Sequence, residues 1–221
     1  YWIADQFFNL HEKDAPNNGF LPNIGTDIQD ITFVAGGRGQ KSGWNYDMSM
    51  VKGGNKIQYT ISNSINPFLE KLTPTTFNPG GYETSTTAIN LDLAKKIDIL
   101  NIGIGAEFKN EKDQAKAGNP DSYVGGGIQS FMGIQPENAA NVSRTNIGFY
   151  SDVALDITKN LLIGASARFE NYSDVGENLS WKSNARLKLL DDKLILRGSY
   201  STGFRAPSLQ QRYFGTMQTL L

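Results

Sequence analysis

The sequence predicts an all-β fold, a run of antiparallel strands in an up-and-down meander that forms part of a large transmembrane β-barrel. Three observations carry the prediction. Apolar and polar side chains alternate with period two along most of the chain, as they do when one face of a sheet meets an apolar medium and the other meets water. The alternating runs last roughly 9–13 residues, about twice the usual strand length of soluble sheets. Short and long connections take turns, so short turns gather at one end of the sheet and longer loops at the other, as in barrels that cross a membrane.

In chain order, Tyr1 to Phe8 reads as the end of a strand running outwards, and residues 10–42 as the first outer loop. From Trp44, one face carries Trp44, Tyr46, Met48 and Met50, and the other Asn45, Asp47 and Ser49. Gly53-Gly54 signals a tight hairpin. The next strand sets Ile57, Tyr59, Ile61 and Ile65 against Gln58, Thr60, Ser62 and Ser64. A long link from Asn66 to Ser85 contains Pro67, Pro74 and Pro79. Ile89, Leu91 and Leu93 lead to a short turn at Lys95-Lys96, and Leu100, Ile102, Ile104, Ala106 and Phe108 oppose Asn101, Glu107 and Lys109. The loop over 110–143 is rich in Gly, Asn, Pro and charge. Four more strands follow, from Ile147 to Ile157, Leu161 to Phe169, Leu179 to Leu189 and Leu194 to Phe204. Their links are Thr158-Lys159-Asn160, then Ser173 to Gly176, then Asp191-Asp192.

No charged residue falls on the apolar side of these runs. At about 3.3 Å per residue and a tilt near 45°, they stand roughly 20–30 Å tall, the height of the apolar band of a membrane barrel. Trp44, Phe108, Phe149, Phe169, Trp181, Tyr200 and Phe204 sit on that side, mostly towards the loop end, as an interfacial girdle would. In this orientation Gly53, Lys95, Lys159 and Asp191 lie on the periplasmic side, and segments 10–42, 67–84, 110–143 and 205 onward lie outside.

Composition excludes several alternatives. A mean hydropathy of −0.38 and the lack of any run of about 18 apolar residues rule out a membrane helix, but a barrel averages its two faces and escapes that test. With 21 basic and 22 acidic residues and no basic cluster, no nucleic-acid partner is expected. The absence of cysteine removes disulfides, thiolate metal sites and cysteine nucleophiles. His11, the single histidine, reads as a solvated loop residue. Asp152 with Asp156, and Arg168 with Glu170, have even spacing and read as a solvated, ion-paired wall, not as paired catalytic carboxylates. Gly125-Gly126-Gly127 follows no Rossmann strand and reads as flexibility. The stretches around Asp14–Asn18 and Asn110–Asp113 lack EF-hand spacing and read as mobile loops instead of Ca²⁺ sites. No catalytic set, cofactor or metal is expected.

The run Gly198-Ser199-Tyr200-Ser201-Thr202-Gly203-Phe204-Arg205-Ala206-Pro207-Ser208-Leu209 resembles a signature of TonB-dependent outer-membrane receptors. There, a barrel strand ends in Ser-x-Gly-Phe-Arg-Ala-Pro as it enters an outer loop. Phe204 would anchor the strand end at the interface, and Pro207, lacking an N–H, would stop ladder pairing. Arg205 would sit near the outer rim beside the lumen. Ala167 to Asp174 is similar to the family's Arg-x-Glu-x-Tyr strand end, and Gly105 to Lys109 to its Gly-x-Glu-x-Arg end, with Lys109 for the usual Arg. Pro74 to Gly81 looks like an outer-loop element of its larger members.

The resemblance implies a barrel of about 22 strands around an N-terminal plug, with a coupling box that contacts the TonB complex in the periplasm. Residues 1–221 would then be a partial barrel domain of about nine strands, without plug or box, and both Tyr1-Trp2-Ile3 and Leu220-Leu221 read as cuts through a longer polypeptide. The implied function is TonB-energised uptake, across the bacterial outer membrane, of a scarce, bulky solute such as a ferric siderophore, a cobalamin-like compound, a glycan or a peptide. Implied partners are the TonB complex, outer-membrane lipid and a small-molecule or siderophore ligand. The signature residues Gly203, Phe204, Arg205, Ala206 and Pro207, and lumen-facing Glu107, Arg168, Glu170, Arg186 and Arg197, are the candidate site residues. Capture is assigned to loops 67–84 and 110–143. Two other readings stay open: a passive porin-like barrel, which would lack a plug, and a soluble β-sandwich, which would pack its apolar faces together.

Overall fold

Alternation along the chain produces one antiparallel sheet of nine strands in the computed structural model, which describes residues 21–215. The strands are β1 (Asn23–Lys41), β2 (Trp44–Ser62), β3 (Thr76–Phe77), β4 (Gly80–Ile97), β5 (Leu100–Ala117), β6 (Ala140–Asp156), β7 (Leu161–Tyr172), β8 (Gly176–Leu189) and β9 (Leu194–Ser201). A five-residue helix, α1 (Leu209–Tyr213), follows. The order β1-β2-β4-β5-β6-β7-β8-β9 follows the chain, and the two-residue β3 pairs with the end of β2. The expected meander is therefore present. The strand end at Tyr1 to Phe8, His11 and the Asp14–Asn18 stretch lie outside the described residues.

Several boundaries differ from the sequence expectation. Gly53-Gly54 forms no hairpin: β2 runs straight through it, pairing Gly53 with Thr86 and Gly54 with Ser85. The apolar side of β2 does change there, from Met50 and its even-numbered neighbours to Ile57, Tyr59 and Ile61, and that change of parity imitates a turn. The turn lies earlier, at Ser42-Gly43, where positive φ values of 52° and 77° suit a two-residue hairpin. Residues 23–41 are accordingly a strand, not an outer loop. Lys95-Lys96 stays inside β4, and the chain reverses at Asp98-Ile99. Long loops are also shorter than expected, because 80–84, 110–117 and 140–143 are paired strand. Asn110–Asp113 thus belongs to β5, where alternation sends neighbouring oxygens to opposite faces and prevents a convergent Ca²⁺ site.

The register aligns the two faces across the sheet. Met48, Leu91, Ala106, Phe149, Phe169 and Leu179 are successive cross-strand partners on the apolar face. On the other face the row reads Asp47, Asp92, Gly105, Tyr150, Arg168 and Ser180. The apolar band on β5 runs from Leu100 to Phe108, roughly 20 Å tall once tilted. Strands β1, β2, β4, β5 and β6 have 17–19 residues and continue well beyond it.

Where the chain buries apolar surface decides what the faces are for. The cluster of Ile61, Phe77 and Ile128, with Phe131 packed on it, forms on the polar face at the loop end. Ile61 is fully buried, whereas Phe149 and Leu179 on the apolar face are 55% and 64% exposed. The connections fold onto the polar face and leave the apolar band bare. A soluble sandwich would do the reverse.

Two loops lock together to make that cover. Asn66 is fully buried; its Nδ2 donates to the carbonyls of Asp121 at 2.7 Å and Val124 at 2.9 Å, and its Oδ1 accepts from the N–H of Phe68 at 3.0 Å. One side chain thus joins residues 63–79 to residues 118–139. Backbone bonds from Gln129 to Ile65 and from Ile134 to Pro79 complete the joint. Gly125 lies against Phe68, and buried Gly127 lies against Ser122 and Met132, so this stretch is tied into the cover and is not a free loop.

Candidate functional site

The polar face carries a ladder of charged and aromatic groups, because every second residue of each long strand projects there. Lower on the wall, the Tyr150 ring lies flat over its cross-strand partner Gly105, where any Cβ would meet the ring at 2.2 Å. Its hydroxyl donates to Asp92 on β4. Gly105→Val is expected to lift the ring, break that hydrogen bond and cost about 1–3 kcal/mol; a lower urea midpoint for the intact protein in detergent would show it. An unchanged midpoint would mean that the ring has no structural role. Beside this pair a hollow of about 550 Å³ is lined by Arg38, Asp47, Asp92, Gly103 and Tyr150 among others.

Higher on the wall, three of the nominated residues come together. Arg168 Nη2 donates to Glu107 Oε1 at 3.0 Å and to Glu170 Oε1 at 3.0 Å. Tyr172 Oη donates to the same Glu170 oxygen at 3.1 Å. Side chains from β5 and β7 therefore meet across β6. Arg186 and Arg197 share the polar face but stand opposite one another as like charges, away from this group, and the Arg186 Nε is buried without a partner.

The signature run does not behave as a strand end projecting into solvent. Ladder pairing ends at Thr202, whose N–H donates to Trp181, so Pro207 is not what stops it. The chain then bends over the polar face. Phe204 leaves the apolar side and packs its ring 6.1 Å from Tyr172. Trp181 and Tyr200 remain paired on the apolar face at 5.4 Å, but Trp44 lies at the turn end, where Lys95 covers its ring at 5.4 Å. Arg205 is exposed, and Ala206 is half-buried.

What holds this segment is a residue that the sequence reading did not nominate. Arg144 on β6 is only 5% exposed. Its Nη1 donates to the carbonyl of Pro207 at 2.7 Å, and its Nε and Nη2 donate to Glu111 Oε2 at 3.0 and 2.7 Å. Asp174, itself nearly buried, lies between Arg144 at 3.9 Å and Arg212 at 3.5 Å. Arg212 comes from α1, which starts with a reciprocal cap between Ser208 and Gln211 and inserts buried Leu209 towards β5 and β6. Phe214 stacks on Tyr82 at 5.9 Å. Tyr82 also meets Tyr59, and Tyr59 meets Phe131 of the cover. Even spacing from Asn146 and Tyr150 placed Arg144 on the polar face in principle. Its position between the loop read over 110–143 and the strand read from Ile147 concealed that.

Among the described residues no three His, Cys, Asp or Glu side chains converge to hold a metal. Chemically, the arrangement offers a polar wall, an aromatic row beneath a two-loop cover and a strap clamped to the wall.

Comparison with known proteins agrees with this geometry. The family model "TonB dependent receptor-like, beta-barrel" matches residues 2–219. Among solved structures, a mutant of the ferric enterobactin receptor of Pseudomonas aeruginosa is similar, with a TM-score of 0.62 at 13% sequence identity, over 84% of this chain and 26% of that chain. The chain thus spans about a quarter of that receptor's length, and the likeness is one of fold. No curated protein matches the sequence.

Proposed function

The chain belongs to the TonB-dependent receptor β-barrel family, and we propose that it is part of the wall of an outer-membrane receptor that takes up a scarce, bulky solute, such as a ferric siderophore, with energy from the TonB complex. The observation that carries this reading is the inverted burial of the sheet: the apolar band is bare, while loops and strap cover the polar face. Lipid covers the band, and the polar face lines the lumen.

In this reading the short turns at Ser42-Gly43 and Asp98-Ile99 face the periplasm, and the two-loop cover faces outside. A plug supplied from upstream of Tyr1 packs against the lower wall, filling the hollow beside Asp92 and Tyr150. Glu107, Arg168 and Glu170 hold the wall rigid, with Arg168 compensated by two carboxylates. Capture falls to the cover and the aromatic row of Tyr59, Tyr82 and Phe131, aided by plug apices. The wall performs no bond-making chemistry. It binds, positions and releases.

The test begins with the reading frame upstream of the Tyr1 codon, where a coupling box and a globular plug are expected. Deleting that box from the intact receptor should abolish uptake of a radio-iron-loaded catecholate siderophore by cells and leave surface binding within about twofold, since binding and energised release are separate steps. Uptake that persists without the box would mean a passive barrel.

A further inference from the structure

The strap ends on the row of rings assigned to capture, and its tip is held differently from its stem. Along the stem the attachments are buried or charged. The Pro207 carbonyl accepts from Arg144, Leu209 is 2% exposed, and Arg212 donates to the Asp174 carbonyl at 2.7 Å. At the tip the hold is a stack. Phe214 is half-buried, and its ring lies nearly parallel to that of Tyr82, at 20° and 5.9 Å. Its N–H donates to the Gln210 carbonyl at 3.0 Å and closes the end of α1. Gly215 then passes beside Asn138 of the cover.

Tyr82 therefore has two kinds of neighbour. Tyr59 meets it edge-on, at 87° and 6.3 Å, and both rings stand on long paired strands. Phe214 covers a face of Tyr82 from a segment with no strand partner. Stacking on a face is how a phenol ring takes up another flat aromatic group, and one face holds one ring at a time. We propose that Phe214 is an internal occupant of a ring-binding subsite on Tyr82. A solute bearing a flat aromatic ring binds by taking its place, and the tip of the strap swings away while the stem stays clamped. The inference deepens the capture role given to the aromatic row and rests on it. Competition sets the apparent affinity, because only the fraction of receptor with Tyr82 uncovered accepts the ring. A solute without a ring has nothing to set against the displaced stack, so the same contact selects for aromatic solutes.

The intact receptor, purified in non-ionic detergent, would be titrated with ferric 2,3-dihydroxybenzoate and with ring-free ferric citrate. Phe214→Ala is expected to bind the dihydroxybenzoate complex about three- to tenfold more tightly than the parent, the span of an aromatic stack. Phe214→Trp, with a larger flat ring, should bind it more weakly. A misfolded variant does not bind more tightly, so the sign of the change is its own control. In a Tyr82→Ala background, Phe214→Ala should bring no gain. Saturating dihydroxybenzoate complex should speed amide exchange at Phe214 in the parent by at least about tenfold, with residues 203–209 keeping their protection. Equal binding of that complex by the parent and Phe214→Ala overturns the subsite and leaves the receptor standing. A gain that persists without the Tyr82 ring, or that is as large for ferric citrate, makes Phe214 a general obstruction and overturns it too. If neither protein binds the complex while cells still import catecholate iron through the coupling box, the subsite fails alone. If that uptake is also absent, the receptor reading fails with it.

Discussion

Arginine at Val153 will impair folding of the intact receptor into phospholipid vesicles by about 2–4 kcal/mol, while arginine at the adjacent Asp152 will change it by less than about 1 kcal/mol. Both residues lie on β6, one step apart, so backbone pairing and propensity are nearly the same for the two sites. Only the face differs. Val153 sits between Ile102 and Ala165 on the apolar side, near the middle of the run from Ile147 to Ile157. Asp152 lies between Gly103 and Ser166 on the polar side. A guanidinium at Val153 must enter hydrocarbon, and at Asp152 it enters a water-filled or plug-filled lumen. Urea titration of the folded fraction in vesicles measures the difference. Greater damage at Asp152 would place the polar face against lipid, or make the sheet a soluble one, and would end the transporter reading.

How much of this was legible beforehand follows from where period two survives. From Ile147 to Tyr200 one phase of alternation holds within each strand, and the strands found there lie within a few residues of the expected ones. On β2 the phase reverses at Gly53-Gly54 because the medium changes twice. Below that point lipid lies outside; above it water lies outside, and the Phe77–Ile128 cover lies inside, so the apolar side chains switch faces within one strand. Sequence periodicity has no means of distinguishing that from a hairpin. β1 was hidden for a related reason. Ile28, Ile31, Phe33 and Val34 put apolar groups on both faces, and three glycines between residues 36 and 39 erase what remains. The upper halves of β4, β5 and β6 are polar on both sides, so pairing continues where the pattern has stopped. Among the candidate site residues, Glu107, Arg168 and Glu170 meet because their spacing kept them in phase on the polar face. The strap did not show in the sequence, since it depends on a fold-back after Thr202 that brings Pro207 to Arg144, 63 residues away in sequence.

The fold-back supplies the second large effect. Arg144→Met will detach residues 203–214 from the wall, leaving the sheet folded. In the parent, the buried guanidinium is satisfied by Glu111 and by the Pro207 carbonyl, with Asp174 nearby. Removing it leaves Glu111 with Lys109 alone, at 2.8 Å, and Asp174 with Arg212 alone, at 3.5 Å, in a poorly solvated place; breaking a buried ion pair from one side costs up to about 3–5 kcal/mol, and these remaining partners reduce that. Opening the strap relieves that cost, because it readmits water to Glu111 and Asp174 at the expense of the five-residue α1, the Leu209 burial and the Phe214 stack on Tyr82. Amide hydrogen exchange over 203–214 in the intact receptor should therefore speed up by at least about a hundredfold, with β5 and β6 below Phe108 keeping their protection. Adding Glu111→Gln to Arg144→Met should recover part of the protection, since one of the stranded charges is then gone. Arg205→Ala, at the exposed signature position, should leave exchange unchanged. If Arg144→Met leaves the strap protected, the clamp is incidental and Leu209 with Phe214 holds the segment down; if it unfolds the sheet as well, Arg144 belongs to the wall and not to the strap.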